Sequence, residues 1–454
     1  MTRATLAGGA VAAVLLLLVL LVAGYRALER FLDPAAVTVP AAAPSSAPAA
    51  GGTHPGVESH EGFLYGRITS LDGDAYEGRL RWGADQEAFW GDFFNGSERE
   101  NRWLAHVPAG RLPEERPPKR IFGFEIGGGD RVGRLFMVRF GEIARIEARG
   151  REVRATLKSG TVVELDRFEA SDFDDGVRVW DGGGRVVDLD SLQIRSIELL
   201  PTPPLGPAPY RLHGTVRTRQ GDFTGFVQWG RDQGLGSDEL DGRTADGRTM
   251  LRFDTIGSIA RRSPDSALVT LLDGREVVLS GRRGVDLGSG GISVDDPRYG
   301  RVTISWDAFE RVDLGAGGGG PAYDDFPPGS PLTGSVTTRA GRRLTGRLVY
   351  DVDESETTET LDASSEGVSY NIPFGLIAAI EPAGRGEGGA RHATVTLHHG
   401  EDLRLEPSGD LRPGHAGMLI FVDGQERAEY VPWSEVDEVE FERPPAMYPP
   451  LGAR

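Results

Sequence analysis

Cysteine is absent from this chain of 454 residues, and lysine is almost absent. The lack of cysteine excludes disulfide bonds, thiolate metal sites and cysteine nucleophiles. The only lysines are Lys119 and Lys158, so nearly all of the positive charge is carried by arginine. We interpret this bias as the codon usage of a GC-rich genome rather than as a sign of guanidinium chemistry.

Positive charge is also scarce relative to negative charge. The formal net charge is −18, and the longest basic cluster is the short stretch 116–120. Affinity for nucleic acids depends on clustered positive charge. We therefore expect no nucleic-acid partner.

The signatures of common enzymes and metal sites are missing as well. The chain has no Gly-x-Ser-x-Gly, Ser-x-x-Lys or His-Glu-x-x-His motif. The densest acidic stretches, 172–176 and 351–356, lack the spacing of a calcium loop, and the acidic positions differ between the repeats described below. His392, His398 and His399 lie close enough in sequence to meet across a hairpin, but a zinc site needs further ligands and support. We predict no catalytic residue, no cofactor, no metal and no small-molecule substrate.

The one long apolar run stands near the N-terminus. Residues 4–25 carry no charge and would span ~33 Å as a helix, close to the ~30 Å hydrocarbon core of a bilayer. Bulky and charged residues follow at 25–32, whereas signal cleavage needs small ones, so we predict a transmembrane anchor or uncleaved signal. Cleavage further along the chain stays open. The nearly balanced flanking charges leave the orientation undecided, and the large C-terminal body favours export. Residues 34–61 are rich in alanine, proline and glycine, which predicts a linker.

The rest of the chain repeats itself. The segment that starts at Leu64 returns at Leu212 and at Leu332, each time as an apolar–polar alternation between two glycines seven residues apart. A second strand follows each copy and ends in an aromatic residue, namely Trp82, Trp229 or Tyr350. Each of these shares a face with an apolar residue two positions earlier, so we predict core residues rather than a binding platform. Internal repetition indicates that every copy folds by the same rules.

Closing patterns divide each copy into two modules. An aromatic residue followed by two apolar residues at threefold spacing predicts a 3₁₀-like turn that leads into a strand. The pattern occurs twice in each copy, without its aromatic residue in one case, and five of the six modules span 42 to 44 residues. We predict three paired repeats at 62–200, 210–314 and 330–442, followed by a tail at 443–454.

The first module carries an insertion, predicted at about 88–136. It contains aromatic residues and arginines, which are the side chains that anchor protein interfaces. The candidate partner-binding residues are Trp90, Phe93, Phe94, Trp103, Arg116 and Arg120. The alternative is that the insertion is an extra hairpin that covers one edge of the fold.

The order of elements in each module is a strand, a glycine turn, a bent strand, an acidic loop, further strands, a 3₁₀-like turn and a last strand. This order resembles that of SH3-like and Sm-like small β-barrels, most clearly in 269–279 with 302–314. The resemblance implies an all-β body of three tandem repeats, each a pair of small barrels. Sm-like proteins form rings and bind RNA, but the RNA-contacting residues of that family have no counterpart here. SH3-like barrels of bacterial envelope proteins often bind peptides or cell-wall components.

We therefore predict a membrane-anchored protein whose body is exported, either periplasmic or extracellular. Its predicted role is that of a non-enzymatic binding or scaffold module of the bacterial cell envelope, with a protein or cell-wall partner. Two alternatives stay open. One is an envelope enzyme that acts on glycans or peptides through an acidic pair, and the other is an Sm-like nucleic-acid binder with a cytoplasmic body.

Overall fold

A computed structural model describes residues 60–83, 86–98, 100–111, 119–121, 124–126, 134–167, 170–205, 210–230, 232–281, 284–285, 290–384, 392–425 and 427–445. The predicted anchor at 4–25 lies outside the described residues, as does nearly all of the predicted linker. Within the described ranges, no helix has the length and apolar character needed to cross a bilayer.

The chain is all-β, as predicted, and builds three large sheets. The first sheet uses ten strands: β1 (Tyr65–Ser70), β2 (Ala75–Trp82), β3 (Phe93–Glu98), β6 (Arg134–Arg139), β7 (Ile143–Arg149), β8 (Glu152–Leu157), β9 (Val162–Asp166), β10 (Val177–Asp181), β11 (Val186–Leu189) and β12 (Ile194–Leu199). A separate hairpin is formed by β4 (Lys119–Ile121) and β5 (Phe124–Ile126).

The second sheet begins with ten consecutive strands: β13 (Leu212–Thr218), β14 (Gly221–Trp229), β15 (Glu239–Thr244), β16 (Gly247–Arg252), β17 (Ile256–Ser263), β18 (Ser266–Leu271), β19 (Glu276–Ser280), β20 (Ile292–Asp296), β21 (Gly300–Ile304) and β22 (Phe309–Ala316). Two later strands complete it: β25 (Thr360–Ser365) and β26 (Val368–Pro373).

The third sheet has eight strands: β23 (Thr333–Thr338), β24 (Arg343–Val349), β27 (Ile377–Glu381), β28 (Ala393–Leu397), β29 (Asp402–Leu405), β30 (Met418–Phe421), β31 (Glu429–Val431) and β32 (Val436–Phe441). We refer below to residues 62–200, 210–314 and 330–442 as repeats 1, 2 and 3.

Short helical turns lead into the closing strands. Five of the six closing patterns form a 3₁₀ turn, at Phe140–Glu142, Ser191–Gln193, Phe253–Thr255, Phe374–Leu376 and Trp433–Glu435. The sixth, at Trp306, is a plain turn. Further 3₁₀ turns lie at Arg102–His106, Ala109–Arg111, Tyr323–Asp325 and Gly409–Leu411, and a single α-helical turn, α1, at Ser171–Asp174.

The two modules of each repeat exchange their hairpins. In repeat 1 the hairpin β1–β2 pairs with β12 and β10, which belong to the second module, and the hairpin β8–β9 pairs with β7 and β3 of the first module. Repeat 2 pairs β13 with β22, β14 with β20 and β15 with β19 in the same way. In repeat 3 the corresponding strand pairs are β23–β32, β24–β30 and β27–β28. The sequence modules are therefore not separate folding units.

The exchange also explains why the sheets stay open. In repeat 1, β12 pairs with β1 on one side and with β7 on the other, so the closing strand continues into the second half of the repeat. The strand order of each sheet is accordingly linear, and among the described residues no sheet closes into a barrel. The module pattern predicted separate closed barrels, and this strand order does not form them.

Glycine pairs allow the strands of the exchanged hairpins to approach their neighbours closely. Gly214 lies directly opposite Gly225 in the β13–β14 hairpin. A Cβ atom on Gly214 would lie 2.3 Å from the carbonyl oxygen of Asp313, and one on Gly225 would lie 2.1 Å from that of Asp295. No side chain fits at such distances, which explains why glycine recurs at this point of each repeat.

Repeats 2 and 3 share a sheet and a core. Strand β21 of repeat 2 pairs antiparallel with β26 of repeat 3, and one cluster of buried apolar side chains runs through both repeats. Repeat 1 has its own core, which also includes Phe226 of repeat 2 and, from the linker between repeats 2 and 3, Tyr323 and Phe326. The three repeats are thus packed into one body over the described residues.

Candidate functional site

In the structure, the insertion of the first module is shorter than the predicted range of about 88–136. The added chain lies between β3 and β6, and β3 corresponds to β15 and β25 of the other repeats. Phe93 and Phe94 therefore belong to a strand that all three repeats contain. Both side chains are buried, and the ring of Phe94 packs edge-on against the ring of Trp82.

Trp90 lies just before β3 and contacts the linker between repeats 2 and 3. Its ring centroid is 6.1 Å from that of Phe326, and the guanidinium of Arg139 lies 4.5 Å from the ring. Lys158 secures the same linker, since its Nζ atom donates hydrogen bonds to the carbonyls of Tyr323 and Phe326. Burial lowers the pKa of Lys158 to about 8, against the opposing effect of nearby carboxylates.

Trp103 attaches the added chain to repeat 3. Its side chain is buried in a small apolar cluster with Val349, Val352 and Leu419. The Asn101 side chain donates a 2.8 Å hydrogen bond to the carbonyl of Val352 in the same contact. The added chain thus links repeat 1 to repeat 3.

The six predicted partner-binding residues are not brought together in one surface patch. Trp90, Phe93, Phe94 and Trp103 are at most 5% exposed and pack within the chain. Arg116 lies outside the described residues, and Arg120 lies on β4. A role of these residues toward an external partner stays a prediction, and the four aromatic side chains present little surface for it.

The aromatic residue that ends each second strand is a core residue, as predicted, and it also anchors a loop. All three are fully buried. The Nε1 atom of Trp82 donates to the carbonyl of Asp172, and that of Trp229 donates to the carbonyl of Gly284. The hydroxyl of Tyr350 donates to the carbonyl of Asp410 at 3.0 Å. Each loop between the exchanged halves is therefore held by one buried donor.

Acidic side chains do recur at fixed places, contrary to the expectation from the sequence. In the loop after each second strand, one carboxylate accepts hydrogen bonds from two successive backbone N–H groups. Asp92 accepts from Glu87 and Ala88, Asp238 accepts from Gly234 and Leu235, and Glu359 accepts from Ser355 and Glu356. One extra residue in the loop of repeat 1 and the change from aspartate to glutamate in repeat 3 conceal this position in the sequence.

Repeat 3 contains a buried acidic cluster, which we define as Asp351, Glu354 and Asp410. Burial raises the pKa of Asp351 to about 6 and that of Asp410 to about 7, although Arg412 and backbone donors oppose both shifts. Burial, together with the neighbouring acids, holds the pKa of Glu354 well above its usual range. These carboxyl groups can hold a proton near neutral pH.

His415 closes one side of this cluster. Its imidazole stacks on Trp433 at a centroid distance of 4.0 Å, and its Nδ1 atom lies 3.3 Å from Asp351. The Nδ1 atom accepts a hydrogen bond from the backbone N–H of Gly417, so the neutral ring carries its proton on Nε2. Burial lowers the pKa of His415 well below its usual value.

The backbone beside the cluster is strained. Asp351 and Val352 both adopt left-handed conformations, with φ of 50° and 57°. A β-branched residue rarely adopts this conformation. Asp351 stabilises the turn because its carboxylate accepts a hydrogen bond from the backbone N–H of Ala416 and forms an ion pair with the guanidinium of Arg412.

A charged seam joins repeats 1 and 2, and we define it as Arg81, Glu87 and Asp92 from repeat 1 with Arg211, Asp295 and Arg301 from repeat 2. These residues line a cavity of about 40 Å³, which has room for ordered water but not for an organic substrate. Burial raises the pKa of Asp92 and lowers that of Arg211, and the opposite charges across the seam counteract both shifts.

The backbone at Gly91 passes directly against the charged seam. A Cβ atom at this position would lie 2.4 Å from Asp295 Oδ2 and 2.8 Å from Arg211 Nη2, and the φ of 99° itself favours glycine. On the repeat 2 side, Arg301 donates to Asp295 at 3.2 Å. The seam is therefore a close contact between two repeats.

No group of three or more histidine and acidic residues is arranged to hold a metal ion within the ranges that the structure describes. Comparisons of the chain with protein families, with curated proteins and with solved structures find no match.

Proposed function

We propose that this protein is a non-enzymatic scaffold or binding module of the bacterial cell envelope. Residues 4–25 would hold it at the membrane, and the linker at 34–61 would set the exported body apart from the bilayer. The proposed partner is another protein or a component of the cell wall.

The observation that supports a scaffold is the way in which the repeats are fastened together. Hairpin exchange ties the two halves of each repeat, β21–β26 pairing joins repeats 2 and 3, and the charged seam joins repeats 1 and 2. Trp103 joins repeat 1 to repeat 3. Contacts that join all three repeats favour one fixed arrangement, and a fixed arrangement presents binding surfaces at constant spacing.

The SH3-like character of the halves forms part of this proposal. In repeat 2 the exchanged hairpin β13–β14 is completed by β20, β21, a turn and β22. That sequence of elements is similar to that of an SH3-like module, although it is assembled from two distant segments. Such modules in envelope proteins often bind peptides or cell-wall components, and the proposed partner class follows from this likeness of fold.

A topology assay tests the location. A reporter that is active only outside the cytoplasm is fused after residue 454 of the full-length chain, and a cytoplasm-active reporter is fused at the same point as the matched control. We expect activity from the first fusion only. Activity from the second alone would overturn the exported orientation and favour the cytoplasmic alternative.

A capture experiment tests the scaffold role. The tagged full-length chain is recovered from detergent-solubilised envelopes after cross-linking in cells, beside a variant in which residues 100–133 are replaced by a short Gly-Ser linker. We expect the same defined partner in repeated captures of the full-length chain. Recovery of none above the untagged control would contradict the proposal, and loss of the partner from the variant alone would place the contact on the insertion.

A further inference from the structure

Two strand edges in this chain correspond to the two strands that join repeats 2 and 3. Strand β11 of repeat 1 corresponds to β21 of repeat 2. In repeat 1 the second strand of the exchanged hairpin, β2, pairs with β10, and β10 pairs with β11; in repeat 2, β14 pairs with β20, and β20 pairs with β21. Strand β16 of repeat 2 corresponds to β26, because each pairs with the strand before it and leads into a 3₁₀ turn that starts with phenylalanine. In repeats 2 and 3 the pair β21–β26 is formed.

The corresponding strands β11 and β16 are both sheet edges. Strand β11 ends the first sheet and β16 ends the second, and in the described part of the chain neither has a strand on its outer side. Each strand also carries one exposed apolar side chain, since Val186 on β11 is 55% exposed and Met250 on β16 is 54% exposed. By contrast, Val302 on β21 and Tyr370 on β26 are buried.

The observed β21–β26 register predicts how β11 would meet β16. Ile304 and Leu189 are equivalent, since each lies opposite the strand residue that pairs with the core tryptophan of its repeat. On β26, Val368 corresponds to Gly247, the residue that starts β16. Transferring the pair Ile304–Val368 places four residue pairs opposite each other: Leu189–Gly247, Asp188–Arg248, Val187–Thr249 and Val186–Met250.

This register is complementary in both hydrophobicity and charge. It brings the two exposed apolar side chains, Val186 and Met250, face to face. It also places Asp188 opposite Arg248. Asp188 already pairs with Arg178 at 2.6 Å, and Arg248 pairs with Asp241 at 2.7 Å. The combined sheet would therefore carry positive, negative, positive and negative charge on four successive strands, a favourable order for cross-strand pairs.

We propose that the β11 edge of one copy of this protein binds the β16 edge of a second copy in the antiparallel register given above. The contact is a strand addition in which main-chain hydrogen bonds supply affinity and the side chains select the partner. It is heterologous, so repeated contacts form an open chain or close into a ring. The proposal does not rest on the envelope role and holds for either orientation of the chain.

Cysteine cross-linking tests the contact directly, because the natural chain contains no cysteine. Full-length V186C with one tag is mixed with full-length M250C with another in mild detergent and under mild oxidation. Opposed residues in an antiparallel pair lie within disulfide range. We expect disulfide-linked heterodimers at least tenfold above a control mixture of L192C and M250C, in which Leu192 is exposed but lies off the edge. A yield equal to that of the control would overturn the proposal.

Charge reversal tests the register. D188R on the V186C chain, or R248D on the M250C chain, is expected to lower the heterodimer yield at least threefold, and combining the two is expected to restore it. Both side chains are about two-thirds exposed, so the loss of their surface pairs leaves the fold intact. Unchanged yields in all three mixtures would contradict the register. An intrachain disulfide in a dilute V186C/M250C double variant would show that the edges meet within one chain, which also overturns the proposal.

Discussion

Glu354 occupies in repeat 3 the place that Gln86 occupies in repeat 1. Each residue forms an isolated bridge with the aromatic residue that ends the second strand. The side chain of Gln86 hydrogen-bonds with Asp172, whereas Glu354 lies in the field of Asp410. Gln86 is an uncharged amide at every pH, whereas burial and the neighbouring acids favour the protonated, uncharged form of Glu354. Repeat 3 therefore has a titratable group at a place where repeat 1 has an amide.

The first prediction concerns the pH dependence of stability. A carboxyl group whose pKa is raised in the folded state stabilises the fold at low pH and loses that contribution as the pH rises through the folded pKa. The window from pH 6.5 to 8.5 lies above the pKa of a carboxyl group in the unfolded chain, so stability falls there as long as the folded chain still holds a proton on Asp410, whose pKa is about 7, or on Glu354, whose pKa is raised well above its usual range. His415 is already neutral in this window. We expect the free energy of unfolding to fall by about 1–2 kcal/mol across it.

Glu354→Gln is expected to flatten this fall, because an amide stays uncharged beside the neighbouring acids and carries no titrating proton. The matched control is Gln86→Glu, which should introduce a similar loss of stability at high pH into repeat 1. Urea unfolding at several pH values measures both. An unchanged slope in Glu354→Gln would show that the acidic cluster does not hold the proton.

The glycine pairs give a second prediction. Gly214→Ala places a methyl group 2.3 Å from the carbonyl oxygen of Asp313, so β13 or β22 has to shift. We expect a loss of about 2–4 kcal/mol, in the range of strained or overpacked core sites. Gly182→Ala is the control, because nothing lies within 4 Å of its Cβ position. Thermal unfolding of the two variants compares them, and equal midpoints would refute the need for glycine at this position.

The strands, the turns and the core could be predicted from the sequence, because each of them is specified by a local pattern. Alternation about Gly221 and the threefold spacing after Phe253 and Phe374 predicted elements that the structure contains. The exchange of hairpins could not be predicted, since β14 pairs with β20 across more than 60 residues and both modules carry the same strand pattern. Local patterns do not specify which copy of a repeated strand is the partner.

The candidate residues of the insertion show a related difficulty. Aromatic residues and arginines in added chain are typical of interfaces, and Trp103 does lie in one, but the partner is repeat 3 of the same chain. Sequence composition does not distinguish a contact with another protein from a contact between repeats. The Asp92, Asp238 and Glu359 position was missed for a different reason, because the loop of repeat 1 is one residue longer and repeat 3 has glutamate instead of aspartate.

Trp103 provides a third prediction. Trp103→Ala removes the buried anchor between the added chain and repeat 3, at an expected cost of about 3 kcal/mol for a large core side chain. We expect faster hydrogen exchange at Val349, Val352 and Leu419, with protection in repeat 2 unchanged. Leu104→Ala serves as the control, because its side chain only packs against the edge of the same cluster. Uniform loss of protection throughout the chain would contradict a local anchoring role.

The last prediction concerns the donors that hold the loops. Tyr350→Phe keeps the buried ring but removes the hydrogen bond to the carbonyl of Asp410, which lies 3.0 Å away. A buried carbonyl left without its donor costs about 1–3 kcal/mol, and we expect a loss in this range with faster proteolysis of the loop that contains Asp410. Tyr76→Phe is the matched control, because Tyr76 is only partly buried against the core of repeat 1. If the two variants unfold at the same urea concentration, the hydroxyl of Tyr350 contributes nothing to the fold and Tyr350 acts through its ring alone.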